Sequence, residues 1–397
     1  MPALHIGCRG SAVEIFGVIV RAGSRDERPD EFGLAHFVEH TIFKGTGHRR
    51  SAHIIKRMEA VGGELNAYTT KEETVIYSIF PAGNLARAVE LITDLITDSR
   101  FPNRELDKER EVVADEIDSY LDCPSEAIFD DFEDMIFAGS TLGHNILGDR
   151  DSLRHFDSEV CRHFVGRNYR ADNMVAFYSG PRSENVVFRL LDRYLTFVPG
   201  TVDGNRKLDV VPDVLPSFTS NRCLATHQAH CVIGARTASY LDARRYATAL
   251  LTNITGGPGM NSLLNVALRE RRGLVYNVEA STALFSDCGL MTVYFGCDPE
   301  DSRRCRELVE DTFARLATDL TDRQLDAAKH QYLGQLVVAS ENRENNTLGA
   351  ARSLLWRKEL IDEAYTHEAI RSLTSADITA AIEPMLTPSI LTFSPKE

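Results

Sequence analysis

The sequence predicts an α+β fold in two homologous domains. Three observations carry this. Strand-like and helix-like stretches are mixed along the first half. A run with three prolines and two glycines, residues 199–217, reads as a connection between folded parts. The second half then repeats the first at a shift of 211 positions, where Phe43 falls on Ile254, Gly45 on Gly256 and Asn66 on Asn277. The expected division is a first domain at 1–203, a linker at 204–217 and a second domain at 218–397.

The elements follow in order. Residues 12–22 are apolar enough for a largely buried strand. Spacing predicts a helix from Gly33 to Phe43 and another from Ser51 to Val61, stopped by Gly62-Gly63. Residues 64–82 alternate and are rich in Thr, Tyr, Val and Ile, which predicts a pair of strands. Leu91, Ile92, Leu95 and Ile96 share one face of a helix over 85–98, and Phe101-Pro102 ends it. A long helix follows over 103–121, and Met174–Gly180 reads as a closing strand. The second half shares the order strand, helix, Gly-rich break, helix, Thr/Tyr-rich strands, helix.

The bulk properties exclude several classes. The chain has 397 residues, 43% hydrophobic and 26% charged, which suits a soluble globular protein with large cores. A net charge of -14 argues against a nucleic-acid or anionic-membrane partner. No apolar run reaches the ~18 residues of a spanning helix. The opening Met-Pro-Ala-Leu-His has no basic patch before an apolar core, so a cytoplasmic protein is expected. Eight cysteines include no C-x-x-C pair and read as reduced, mostly buried thiols. Cys223 and Cys231 are the nearest metal-binding pair, but no His or Cys completes a quartet.

The chemistry concentrates in His36-Phe37-Val38-Glu39-His40. Two histidines four apart on a helix lie one turn apart on one face and can chelate one ion. Glu39 stands at the rim of that face, where it can take a proton from a metal-activated water. The order His-x-x-Glu-His inverts the common zincin order. The competing reading is an exposed polar helix face. A third ligand comes from residues 109–116, Glu-Arg-Glu-Val-Val-Ala-Asp-Glu. Glu109 and Glu116 are two turns apart and share a face. Glu116 is assigned as the third ligand, and Glu109 as a carboxylate that orients a ligand or the water. Glu105, Asp107, Glu111 and Asp115 read as a solvated face. The Gly256-Gly257-Pro258-Gly259 run lacks the Gly-Lys-Ser/Thr ending of a phosphate loop, so nucleotide binding is rejected.

With Glu-Arg-x-Val-Val-x-x-Glu following the first motif, the chain resembles the pitrilysin/insulinase family of zinc peptidases. Within it the likeness is to the half-length branch that includes mitochondrial processing peptidase and bacterial relatives. Further matching segments are Phe43-Lys44-Gly45-Thr46, Gly62-Gly63-Glu64-Leu65-Asn66-Ala67 and Leu268-Arg269-Glu270-Arg271-Arg272-Gly273-Leu274-Val275-Tyr276. The resemblance implies that each domain is a mainly antiparallel sheet with helices on one face. It implies one zinc per chain, and an Arg–Tyr pair, Arg269 and Tyr276, that reaches the scissile carbonyl. Arg272 is the alternative to Arg269. On the residues alone, Arg269 reads as pairing on a charged helix and Tyr276 as core. Asn66 and Ala67 match the family's edge strand, which takes substrate as an added strand. Two departures stand out: Leu263 replaces a common Arg, and the first strand is reduced to about Ala3–Gly7 or missing.

The expected function is a zinc-dependent endopeptidase of unstructured peptides, with Glu39 as general base. The resemblance implies a homodimer enclosing a chamber, with a heterodimer with a related chain as the alternative. The competing function is a non-catalytic core or partner subunit, as in related scaffold complexes. Such subunits usually lose metal ligands, whereas all five positions survive here. At the 211-residue shift, His36, Glu39 and His40 fall on Ala247, Leu250 and Leu251, so the second domain is expected to carry no metal.

Overall fold

The computed structural model describes residues 1–195 and 216–396. The expected linker at 204–217 therefore lies, up to residue 215, outside the described residues. The first half runs β1 (Ala3–Gly7), β2 (Val13–Val20), α1 (Leu34–Thr41), α2 (Ser51–Glu59), β3 (Glu64–Thr69), β4 (Thr74–Pro81), α3 (Leu85–Asp98), α4 (Asn103–Leu121), α5 (Pro124–Ile136), α6 (Arg150–Leu153), α7 (Ser158–Asn168), β5 (Met174–Gly180) and α8 (Glu184–Tyr194). The second runs β6 (Thr219–Leu224), β7 (Ala229–Thr237), α9 (Arg245–Gly256), a π-helical segment Asn265–Glu270, β8 (Val275–Leu284), β9 (Gly289–Cys297), α10 (Ser302–Asp319), α11 (Asp322–Ala339), α12 (Arg343–Arg357), α13 (Glu363–Arg371), α14 (Ser375–Ile382) and β10 (Ser389–Pro395). No helix among the described residues is long and apolar enough to cross a membrane.

The duplication is explicit in the sheets. One has the order β1-β5-β2-β4-β3 and the other β6-β10-β7-β9-β8. In each, only the outermost first strand is parallel to its neighbour: β1 to β5, and β6 to β10. The remaining pairs are antiparallel, so both sheets are mainly antiparallel as expected. The short first strand is present, with Ala3 opposite Ala176. At the repeat positions of the zinc motif, Ala247, Leu250 and Leu251 are buried in the second core.

Packing divides the chain differently from a single cut near 203. One compact unit comprises residues 1–119, 144–195 and 342–360, and the other 120–143, 216–341 and 361–396. The reason is the second face of each sheet. In β2, Phe16, Val18 and Val20 join the helical core of the first unit, while Ile15 and Ile19 are just as buried but point the other way. A strand buried on both faces needs cover on both. That cover is α12, which packs on β5, β1 and β2. Reciprocally, α5 buries Ile128, Phe132 and Ile136 with Val232, Leu391 and Phe393 of the second sheet. Each unit thus takes one helix from the other half of the chain.

All eight cysteines are free and five are buried. Cys223 and Cys231 lie on β6 and β7, with β10 hydrogen-bonded between them, so they form no metal pair.

Candidate metal centre

Helix α1 is amphipathic at its own length. Leu34, Ala35, Phe37 and Val38 are fully buried in the first core, which leaves His36 and His40 on one flank. It starts at Gly33, whose φ of +96° suits glycine, and a Cβ there would lie 2.7 Å from the Leu147 carbonyl oxygen. Helix α4 buries Leu106, Val113 and Ile117, and this sets Glu109 and Glu116 toward α1.

One nitrogen each of His36 and His40 and an oxygen of Glu116 lie within 4.8 Å of one another. Nε2 of His40 is 3.4 Å from Oε2 of Glu116, and Nε2 of His36 is 3.7 Å from Oε1. A tetrahedral zinc with bonds near 2.0–2.1 Å separates its ligand atoms by about 3.4 Å. The spacing therefore fits zinc. Donor chemistry points the same way. Nδ1 of His40 sits 3.2 Å from Oε1 of Glu109, which suits an N–H donor there and leaves the Nε2 lone pair facing a carboxylate. With His40 neutral, two imidazole lone pairs and a carboxylate meet at one point, an arrangement that a cation relieves, whether zinc or the proton whose uptake by His40 the neighbouring carboxylates favour. The other Glu109 oxygen accepts from Nζ of Lys44 at 2.6 Å, so Glu109 is held from two sides. The sequence marks Lys44 only as part of the segment Phe43-Lys44-Gly45-Thr46, with nothing to link it to Glu109.

The electrostatics follow from burial. Burial, reinforced by the charge of His40, pushes the His36 imidazole down to about 3, so it is neutral near pH 7 and able to ligate. Burial also pulls His40 down. The hydrogen bond with Glu109 and the charges of Glu116 and Glu39 outweigh it and raise His40 above its ordinary value. Burial lifts the Glu39 carboxyl above the usual carboxylate range, against the pull of Thr69 at the end of β3 and of His40. A raised carboxyl is a better proton acceptor. Glu109, paired with His40 and Lys44, lies below its usual range despite the opposing effect of burial.

The other predicted residues lie elsewhere. Asn66 and Ala67 are on β3, which is hydrogen-bonded only to β4 among the described strands. Arg269 and Tyr276 belong to the second unit. Arg269 is in the π-helical segment, with its side chain half exposed and Nε 3.8 Å from Glu270. Tyr276 is the second residue of β8, at a bulge against β9, and is 91% exposed, so it is not core. Arg272 donates to the Ala267 carbonyl at 2.8 Å. Leu263 is partly exposed.

A second His/Asp group, His48, Asp94 and Asp98, has its charge already met. Arg49 and Thr46 donate to Asp94, and Arg100 pairs with Asp98.

Comparison with known proteins decides the family. Residues 11–150 match the model described as insulinase, peptidase family M16, and residues 155–332 match the peptidase M16 inactive domain. The chain belongs to peptidase family M16. Its M16 relatives include an uncharacterized zinc protease of Streptomyces coelicolor, 30% identical over 94% of this chain and 82% of that one. One from Bacillus subtilis is 29% identical over 87% and 84% of the respective chains. Among solved structures, a protease from Helicobacter pylori superposes with a TM-score of 0.92 at 17% identity, covering 99% of this chain and 96% of that one. A peptidase M16 inactive domain from Pseudomonas fluorescens gives 0.90 at 18%, covering 100% and 95%. The last two speak to the M16 fold alone.

Proposed function

We propose that the chain is a zinc endopeptidase acting on unstructured peptides, with one zinc per chain held by His36, His40 and Glu116. The observation that carries this reading is the convergence of two neutral-capable imidazoles and one carboxylate at zinc spacing, with an acidic side chain adjoining. Three protein ligands leave the fourth position open, as catalytic rather than structural zinc sites do. Zinc there would supply Lewis acidity and bring the pKa of water beside it to about 7.

The chain's own residues do the rest. Glu39 takes the proton of the attacking water and passes it to the leaving amine. Glu109 holds His40 in orientation, and Lys44 holds Glu109. The free edge of β3 at Asn66 and Ala67 pairs with an extended peptide through main-chain bonds, which accept many sequences. Arg269 and Tyr276 take the role the family resemblance gives them, donating to the oxyanion formed from the scissile carbonyl. The family branch further suggests a homodimer, which light scattering of the purified chain would test.

The deciding experiment is metal analysis of purified protein alongside a peptide-cleavage assay. One zinc per chain and loss of cleavage on chelation are expected. Full zinc occupancy in His40→Ala would sink the ligand assignment.

A further inference from the structure

The first turn of α1 is capped from a distance. Its N-cap is Gly33, which has no side chain to cap with. The amide of Leu34 bonds to the Glu31 carbonyl at 2.8 Å. Those of Gly33 and Ala35 donate instead to Oε2 and Oε1 of Glu27, at 2.9 and 2.6 Å. Glu27 is six and eight residues upstream of these donors, and its side chain is fully buried. A third partner is Nε2 of His144, 2.8 Å from Oε2. The His144 ring stacks on Phe32 with centroids 3.8 Å apart and planes 11° from parallel. Lys71 donates to the His144 carbonyl at 2.6 Å. Four residues on, Gly148 packs so closely on the start of α1 that a Cβ there would lie 2.4 Å from the Phe32 carbonyl oxygen.

We propose that Glu27 is a positioning residue for the metal helix, locked by His144, and that it sets zinc affinity through the angular setting of α1. The inference rests on the zinc reading above. An ordinary Ser, Thr or Asp cap bonds the turn locally and travels with the helix. Glu27 ties the same amides to the body of the unit, so it resists rotation of the helix as well as fraying. Rotation is what the metal site cannot tolerate. His36 and His40 ride on one helix, and their ligand nitrogens lie roughly 5–6 Å or more from its axis, so ten degrees of rotation moves each by about 1 Å. Zinc–ligand distances hold to about 0.2 Å. A carboxylate suits this task better than an amide. Both oxygens accept backbone N–H bonds at the positive end of the helix dipole, which oppose the burial that raises this carboxyl well above its ordinary range. In Glu27→Gln one oxygen becomes an N–H donor aimed at a donor.

The test is zinc affinity, measured by competition with a chelator, together with the d–d absorption of the cobalt-substituted protein. Four proteins are compared: the unsubstituted chain, Glu27→Gln, His144→Phe and Val187→Ala. His144→Phe keeps a ring to stack on Phe32 and removes only the Nε2 partner. Val187 is fully buried on α8, so Val187→Ala loosens the same core from a different helix. Glu27→Gln should bind zinc about tenfold or more weakly, the lower end for groups behind a ligand, with an altered cobalt spectrum. His144→Phe should shift both in the same direction by less, and Val187→Ala should bind as the unsubstituted chain does. Should Glu27→Gln fail to fold, His144→Phe decides. Unchanged affinity and spectrum in the variants would overturn the positioning role, and so would equal weakening in Val187→Ala. Absence of zinc from the unsubstituted chain would instead bring down the zinc reading, and this inference with it.

Discussion

At the scale of single residues, two neighbours on α1 stand in different surroundings. His40 faces Glu116 and is steadied by Glu109, whereas Glu39 is outside the group of His36, His40 and Glu116 and is lifted by burial. Glu39→Gln should therefore keep zinc and lose at least about 100-fold in turnover, the usual scale for a general base. Near-normal turnover in a zinc-loaded mutant would remove Glu39 from that role. Tyr276 poses a different question. A tyrosine 91% exposed at the start of a strand contributes little to a core. Tyr276→Phe should leave melting temperature and zinc content unchanged and lower turnover on the order of 100-fold, as loss of one oxyanion donor does. Unchanged turnover would leave its hydroxyl without a catalytic part.

At the scale of elements, the exchanged helix α12 explains a buried charge. Glu73, in the β3–β4 turn, is nearly inaccessible; Thr70 bonds its backbone locally, but its carboxylate finds its partners far along the chain. They come from α12: Arg352, whose Nε lies 2.7 Å away, and the Trp356 indole N–H at 2.6 Å. Arg352 is partly exposed, so solvent discounts its share. The buried indole bond carries more, because an unmet buried donor costs about 1–3 kcal/mol. Glu73→Ala is expected to destabilise by about 2 kcal/mol, a fall of roughly 4–8 °C in melting temperature for a unit of this size. An unchanged melting curve would show that α12 is held by its apolar face alone. The first half shows how much of such an element is legible in sequence. Helices α3 and α4 and strand β5 match the periodicity reading at both ends, because their apolar stripes are complete within each segment. Helix α5 is not among the elements that the sequence predicts. Its stripe of Ile128, Phe132 and Ile136 is equally regular, but the face it needs belongs to a sheet that begins some eighty residues later.

At the scale of the whole molecule, two repeats of one topology have diverged in chemistry. The first holds His36, Glu39 and His40 where the second holds buried Ala247, Leu250 and Leu251. On the function proposed above, the edge of β3 left unpaired among the described strands sets a limit on substrates. Main-chain pairing needs a peptide whose own N–H and C=O groups are unpaired, and a folded protein rarely offers one. A denatured, reduced protein should accordingly be cut at many sites and its native form left intact. Equal rates on the two forms would contradict recognition by strand addition.

What the sequence determined by itself is what short spacing determines. Two histidines four apart share a face that can chelate, two glutamates seven apart share a face of another helix, and a repeat at 211 positions announces the duplication. Tertiary structure alone decided which residues meet. It set Glu116 beside His36 and His40, tied Glu109 to Lys44, hung the first turn of α1 from Glu27, and gave each sheet a helix from the other half of the chain. The reason is physical. Periodicity records which face of an element is apolar, a property of neighbouring residues. The partner of that face is fixed by burial and hydrogen-bond satisfaction summed over the whole unit, and those terms carry no signature in local spacing.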